Sequence, residues 1–378
     1  MRQTQSQPEI EDFLEGRIAD GDFPSAVYIV AEHGRPVFAG ALGNAVVEPS
    51  RIPATLETIY DLASLTKPLI TGLLSARRIG AGELSLSSAV SEFLPEFQRP
   101  DKQLITIAQL LTHSSGLPAW RPLYILAEGK PENVLATIAS VPLDYAPSTR
   151  VVYSDLGFIT LGLLLEKLTG KRLAQLAQDE IFTPLRLEHT FFNPELARQT
   201  GIAACETGNA FERNTCAESS AGEYQNWRQE IIWGQVHDGN AFFLGGAAGH
   251  AGLFSSAEET LTIANQFLGA PQSTSERLLD PETLALFSRN FTDGLEENRS
   301  LGWQLASTDG SSAGTDLPPN SFGHTGFTGT SCWIDPGHER VYILLTNRTH
   351  SRALPFANIN SVRRQFHSLA ASALSSGQ

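Results

Sequence analysis

Ser64 and Lys67 stand three residues apart in Asp61-Leu62-Ala63-Ser64-Leu65-Thr66-Lys67-Pro68, just ahead of the apolar positions Leu69, Ile70, Leu73 and Leu74. A serine hydroxyl with an amine one helical turn away can act as a nucleophile beside its own base. If a helix begins at Ser64, Pro68 fits its first turn, and the exposed N–H groups favour negative charge developing at the serine. The same field, with burial, is expected to push the Lys67 pKa down from about 10.4 and free an amine to take the Ser64 proton. Alone, Ser-x-x-Lys is also an ordinary solvated helix start.

Two further groups carry chemistry. Tyr153-Ser154-Asp155 precedes the apolar run 156–168, with Ser154 expected to cap the helix and Gly170 to stop it. The bland reading is a buried aromatic beside a cap; the chemical one sets the Tyr153 hydroxyl near Ser64 and Lys67, sharing protons with both. Gly323-His324-Thr325-Gly326-Phe327-Thr328-Gly329-Thr330 leads into a strand at 331–334. Small residues on a strand edge admit a substrate backbone, and an N–H there would complete an oxyanion hole with that of Ser64.

The elements that must position these groups follow from periodicity. Ile10, Phe13, Leu14 and Ile18 recur at helical spacing and end near Gly21. Strand-like runs at 26–31 and 36–42 flank a turn, as do 331–334 and 340–346, so each end of the chain supplies a β-hairpin. Residues 356–374 read as helix. From 68 to about 183 the apolar period is mostly helical, with a capping box at Thr106 and Gln109. From 205 to 240 the pattern is weak and an irregular connection is expected, and 307–320 reads as a polar loop. This order predicts an α+β fold in which one antiparallel sheet built from both termini carries an inserted helical lobe. The chain is read as a single catalytic unit over 1–378, with an α/β lobe at about 1–75 and 240–378 and a helical lobe at about 76–239.

Composition narrows the function. The 378 residues include 27 Lys plus Arg against 41 Asp plus Glu, a net charge of −14, which repels phosphate backbones and argues against nucleic-acid partners. No stretch approaches the ~18 apolar residues of a membrane span. Cys205, Cys216 and Cys332 are too few for a disulfide framework and suit a reducing compartment. The first residues hold no apolar signal-peptide core, so the expected location is the cytoplasm, or the periplasm or exterior if a leader has been removed. There is no Gly-x-Ser-x-Gly elbow and no dinucleotide-binding glycine pattern. His237, Asp238 and His250 match no metal signature and are expected to serve structural hydrogen bonds, and His113 to hold its own turn together.

Ser-x-x-Lys, then Tyr-Ser-Asp, then His-Thr-Gly, in that order, resembles the motif series of the serine β-lactamase and penicillin-binding-protein superfamily, in particular its class C-like branch of esterases and DD-peptidases. Residues 107–118 (IAQLLTHSSGLP) are similar to a further segment of that family, and 234–254 to a signature of one group within it. The resemblance covers about residues 10–370. It implies a β-lactamase/transpeptidase-like fold, with Ser64 as nucleophile, Lys67 as its base, Tyr153 as proton relay, and the N–H groups of Ser64 and Phe327 as oxyanion hole. Asp155, His324, Thr325, Gly326 and Phe327 would support or bind the substrate, with no cofactor and no metal. The implied substrate is a small ester or amide cleaved through an acyl-enzyme. The alternatives are peptidoglycan-type peptides or β-lactams, or a catalytically silent binding module.

Three positions depart from the family pattern. Asp155 stands where Asn is common; a carboxylate only accepts hydrogen bonds and favours a charged Lys67, which shifts the base role towards Tyr153. His324 replaces the lysine of Lys-Thr-Gly, as in some DD-peptidases of the family, and none of the five lysines follows Lys171, so a permanent cation there is missing and recognition of a substrate carboxylate is left open. Ser148 follows Pro147 where relatives have Gly.

Overall fold

The computed structural model describes residues 5–218, 222–269 and 276–376. Two hairpins make the centre of the main sheet. Strands β1 (Ser25–Glu32) and β2 (Arg35–Val46) are joined through His33 and Gly34, both with positive φ (50° and 73°), as a tight turn between twisted strands requires. Further strands are β3 (Ile52–Pro53), β4 (Tyr60–Asp61), β5 (Phe191–Phe192), β6 (Leu253–Ser255), β7 (Gln304–Leu305), β8 (Phe322–Thr325), β9 (Ser331–Asp335) and β10 (Arg340–Thr346). The β9–β10 turn is held by the Asp335 carboxylate, which accepts from the N–H groups of Gly337 and His338.

The seven-stranded sheet runs β3-β2-β1-β10-β9-β8-β7. Its centre joins the two ends of the chain: β1 pairs antiparallel with β10, Ala26 opposite Thr346 and Glu32 opposite Arg340. Side chains alternate across it. Tyr28 and Val30 with Tyr342 and Leu344 face the terminal helices α1 (Pro8–Ala19) and Asn360–Ser376, packing on Ile10, Leu14 and Phe366. Val27, Ile29, Val341, Ile343 and Leu345 face the larger core, which includes Leu69, Ile70, Leu110, Phe158 and Leu164. Both faces are covered, which is why these strands read as unbroken apolar runs rather than alternating ones.

The middle of the chain is largely helical. Its longest helix, Asp155–Thr169, is capped by the Ser154 hydroxyl, which accepts from Gly157 N–H, and ends on Gly170 at φ 69°. The Thr106–Gln109 capping box is formed in both directions, at 3.2 and 2.9 Å. Residues 205–240 differ from expectation. They contain a nine-residue helix, Ala210–Glu218, whose Glu212 and Cys216 face inward; residues 219–221 lie outside the described part. Cys205, Cys216 and Cys332 are buried and form no disulfide among the described residues. No described helix is long and apolar enough to cross a membrane.

Candidate active site

Ser64 sits on a sharply shaped turn. Ala63 has φ 48°, and the chain runs through a 3₁₀ turn (Ala63–Leu65) into π-helical turns (Lys67–Gly72) before an α-helix, Leu73–Gly80. The helical run therefore opens at the serine as expected, but Pro68 lies within its widened π stretch rather than in the first turn of an α-helix. Such wide turns recur at functional sites. The strained start is braced by Asp61, whose buried carboxylate accepts from the N–H groups of Ala63 (2.8 Å) and His237 (2.7 Å).

The His324-bearing strand is stitched to this turn. Thr328 Oγ1 donates to Asp61 O (2.7 Å) and Thr330 Oγ1 to Leu62 O (3.0 Å). Gly326 must be glycine: a Cβ there would stand 2.5 Å from Leu62 O and 2.1 Å from Thr330 Oγ1. The close approach brings the backbone of Phe327 beside that of Ser64. Among the described residues, neither of these two N–H groups donates to a protein acceptor. Ser64, Tyr153, Asp155, His324, Thr325, Gly326 and Phe327 all line one cavity of about 550 Å³, with Lys67 buried beneath it.

Lys67 Nζ donates to Ser64 Oγ (2.9 Å) and His250 O (3.1 Å), and pairs with Asp155 Oδ1 at 2.7 Å. The glycine-rich segment 245–252 delivers that carbonyl by packing backbone to backbone. A Cβ on Gly249 would meet Phe158 O at 2.0 Å, and Thr71 Oγ1 donates to Gly249 O. Burial alone would lower the Lys67 pKa, but Asp155 and then Tyr153 outweigh it, and the ammonium is held above its ordinary value. The expected downward shift is thus reversed: burial acts as anticipated, and a carboxylate at contact distance overrides it.

The Tyr153 ring lies 4.7 Å from Lys67 Nζ, and its buried hydroxyl completes no hydrogen bond. Burial raises its pKa, opposed by Lys67. Both resting groups are therefore protonated, Lys67 as ammonium and Tyr153 as phenol. Exchanging Asp155 for Asn should lower the Lys67 pKa, because the carboxylate is what lifts it. We expect the alkaline limb of kcat/KM to move down by about one unit or more, and the acid limb to stay or fall. A clear upward shift of the acid limb in a pH–rate profile would contradict this.

His113 does more than hold its turn. Its Nδ1 accepts from Ser154 N–H (3.0 Å), and its ring packs at a tilt against Tyr153, centroids 4.6 Å apart, so it helps to fix the tyrosine. Ser148 adopts a left-handed conformation: φ is 63°, and its hydroxyl accepts from Gln109 Nε2 at 2.8 Å. His324 is buried, and burial first, then Lys67 and Arg299, keep its pKa well below the usual histidine value. Its Nδ1 donates to Thr325 O (2.8 Å), leaving Nε2 as a buried acceptor without a partner. It is therefore held as a neutral group.

Beside this centre lies a buried charged network. His237 Nε2 pairs with Glu206 Oε1 (2.8 Å), and His250 Nε2 with Asp238 Oδ1 (2.8 Å). These histidines thus make the structural hydrogen bonds expected of them. One ligand atom each from Asp155, Asp238 and His250 falls within 4.8 Å of the others, a spacing that suits a cation. The Lys67 ammonium already pairs with Asp155 there, so a divalent ion would meet a fixed positive charge.

Glu212 lines the same cavity, accepting from Gly239 N–H (2.7 Å) and the Tyr124 hydroxyl (3.1 Å). Burial and then Asp238 push its pKa up to about 7. A carboxyl raised on folding binds more protons folded than unfolded, so its contribution to stability is greatest below pH 4.5 and declines as pH rises through 7. The full span is about 3 kcal/mol. Glu212→Gln should flatten that slope, visible as the difference in denaturation midpoint between pH 5 and pH 8.

Sequence reasoning missed Asp61 and Arg299 as parts of the site, and the packing role of Thr328 and Thr330. Nothing local marks their place at the site, since the partners that put them there, such as His237 for Asp61 and Leu62 for Thr330, lie far along the chain. A sequence profile of the family described as Beta-lactamase matches residues 10–363. The chain is 33% identical over 372 residues to an N-acetylmuramyl-L-alanine amidase of Bacillus subtilis (strain 168), covering 92% of this chain and 82% of the relative. It is 30% identical over 383 residues to a putative D-alanyl-D-alanine carboxypeptidase of Escherichia coli (strain K12), covering 92% and 86%. In fold it resembles EstCE1, a hydrolase with promiscuous acyltransferase activity (TM-score 0.72, 22% identity, 96% and 98% covered). It also resembles a penicillin-binding protein homologue from Caulobacter crescentus (TM-score 0.72, 18% identity, 96% and 97% covered). The α+β arrangement read from periodicity is therefore that of a β-lactamase/transpeptidase-like fold, and the chain belongs to the beta-lactamase family of serine hydrolases.

Proposed function

We propose that the protein cleaves small amide or ester substrates through an acyl-enzyme on Ser64. The observation that carries this is the contact of Ser64 Oγ with Lys67 Nζ at 2.9 Å, beside two unengaged backbone N–H groups facing one cavity. Ser64 Oγ attacks the carbonyl carbon, and the N–H groups of Ser64 and Phe327 receive the oxyanion. Because Lys67 rests as an ammonium, the serine proton passes to the Tyr153 oxygen while Tyr153 gives its own proton to the departing nitrogen or oxygen. Tyr153 is a neutral phenol before and after, and Lys67⁺ stabilises the charge between. A water then attacks the acyl-enzyme, its proton returning to Ser64 by the same relay.

The names of the two relatives, an amidase and a putative carboxypeptidase, favour amides of peptidoglycan type among these substrates. The three cysteines held as thiols support a cytoplasmic location. The test is to offer the protein a short-chain chromogenic ester, a chromogenic cephalosporin and a D-Ala-D-Ala peptide. Turnover of at least one is expected, with an acyl adduct on intact-mass analysis. No turnover and no adduct with any of them would leave the catalytically silent binding module standing instead.

A further inference from the structure

The N–H of Phe327 and the C=O of Gly326 are the two ends of one planar peptide group. At its carbonyl end this group meets a cation. Arg363 Nη2, from the helix Asn360–Ser376, donates to Gly326 O (2.7 Å) and to Thr330 O (3.0 Å). Gly329 N–H donates to the same Gly326 oxygen at 3.0 Å, so both of its lone pairs are engaged. Nη1 donates to Asn360 Oδ1 (2.8 Å), which fixes the guanidinium. Arg363 is 5% exposed and does not line the cavity, so it reaches a substrate only through the peptide it holds. The peptide of the Ser64 N–H is held differently: its carbonyl, Ala63 O, accepts from the hydroxyl (2.7 Å) and the N–H of Thr66, both neutral.

The charge around the 326–330 turn is one-sided. Arg348 Nε donates to Phe327 O at 2.6 Å, and its guanidinium carbon lies 4.8 Å from the Phe327 ring. Among the described residues, neither Arg348 nor Arg363 pairs with a carboxylate. Burial and then Arg348 pull the Arg363 pKa down to about 9, and it remains a cation at neutral pH. Burying a cation near a like charge without a counter-ion is costly, so the resting turn carries a field that lacks its anion. The anion that fits is the one that forms at the N–H end of the 326–327 peptide as Ser64 attacks. A guanidinium on the carbonyl oxygen draws electron density through the amide and makes its N–H a stronger donor.

We propose that Arg363 polarises the Gly326–Phe327 peptide, so that the Phe327 N–H binds the developing oxyanion more tightly than the Ser64 N–H does. Arg363 is thus a positioning residue that acts through a backbone amide. The role rests on the acyl-transfer reading of Ser64 and assigns the group that strengthens one half of its oxyanion hole. A mere staple of the 326–330 turn would need only hydrogen-bond donors, whereas polarisation needs the charge.

The test offers a neutral short-chain chromogenic ester to the wild type, Arg363→Gln and Arg363→Lys. Arg363→Gln keeps a donor and loses the charge, and should lower kcat/KM by about 10- to 100-fold, less than the ~10²- to 10³-fold of removing an oxyanion donor outright. Arg363→Lys keeps the charge and should recover most of that loss. The carbonyl stretch of the acyl-enzyme falls in frequency as the bonds to its oxygen strengthen. It should rise in Arg363→Gln and return towards the wild-type value in Arg363→Lys. Unchanged activity in Arg363→Gln, or equal loss with equal band positions in the two variants, overturns polarisation and leaves the Ser64 chemistry intact. Absence of turnover and of a Ser64 adduct in the wild type overturns both. Should Arg363→Gln fail to fold, the two oxyanion amides of the wild type decide, since hydroxide-catalysed hydrogen exchange reports N–H acidity. The Phe327 N–H should exchange about tenfold or more faster than that of Ser64. Equal or slower exchange sinks the proposal.

Discussion

Ser64→Ala should abolish the acyl adduct and lower kcat by about 10⁴- to 10⁶-fold, the scale on which nucleophiles of such relays fail. The fold should survive the change. Ser64 Oγ takes one hydrogen bond, from Lys67 Nζ, and the ammonium keeps Asp155 at 2.7 Å and His250 O at 3.1 Å. The turn that presents residue 64 is braced elsewhere, by the Asp61 carboxylate and by Thr328 and Thr330. Loss of activity with an unchanged denaturation midpoint therefore assigns the defect to chemistry. Residual substrate binding in the variant is expected, because the cavity walls remain. An acyl adduct that persists on the variant, located by peptide mapping at another residue, would place the nucleophile elsewhere.

What the sequence could disclose was local. Capping at Thr106 and Ser154, the stop at Gly170 and both hairpins depend on residues a few positions apart, and each is formed as its residue types require. The Ser64–Lys67 contact belongs to the same class, since three residues of helical chain set it. The groups that tune it do not. Lys67 meets His250 O across 183 positions, and Thr328 meets Asp61 O across 267. No periodicity reports such pairings.

The sign of the Lys67 shift failed for the same reason. Its burial was inferable from the apolar run around it, but the 2.7 Å distance to Asp155 decides the balance between burial and charge. The π-helical stretch Lys67–Gly72 was equally hidden, because its residues are ordinary helix formers apart from Pro68 and Gly72. Arg299 gave no local sign of lining the cavity, because it stands there beside Tyr153, which arrives from another element.

Tyr153→Phe should separate chemistry from stability more cleanly than any other change at this site. The phenolic oxygen is buried and completes no hydrogen bond in the resting protein. Removing it takes away that oxygen's interaction with Lys67 and Ser64 but also relieves a desolvated hydroxyl, two effects of opposite sign and about 1 kcal/mol each. The ring keeps its packing on His113 at 4.6 Å and its place over Lys67 at 4.7 Å. Catalysis, however, would lose the phenol proposed to take the Ser64 proton while protonating the leaving atom. A fall of about 10²- to 10⁴-fold in kcat/KM is expected. The fall should be steepest for amides, whose nitrogen cannot depart unprotonated, and milder for aryl esters, whose phenolate leaves without help. The expected result is thus a denaturation midpoint close to that of the wild type, a large rate loss, and an amide-to-ester ratio shifted towards esters. Near-wild-type amide turnover would mean that Lys67 and Asp155 move the proton between them, and the neutral relay through Tyr153 would have to be given up.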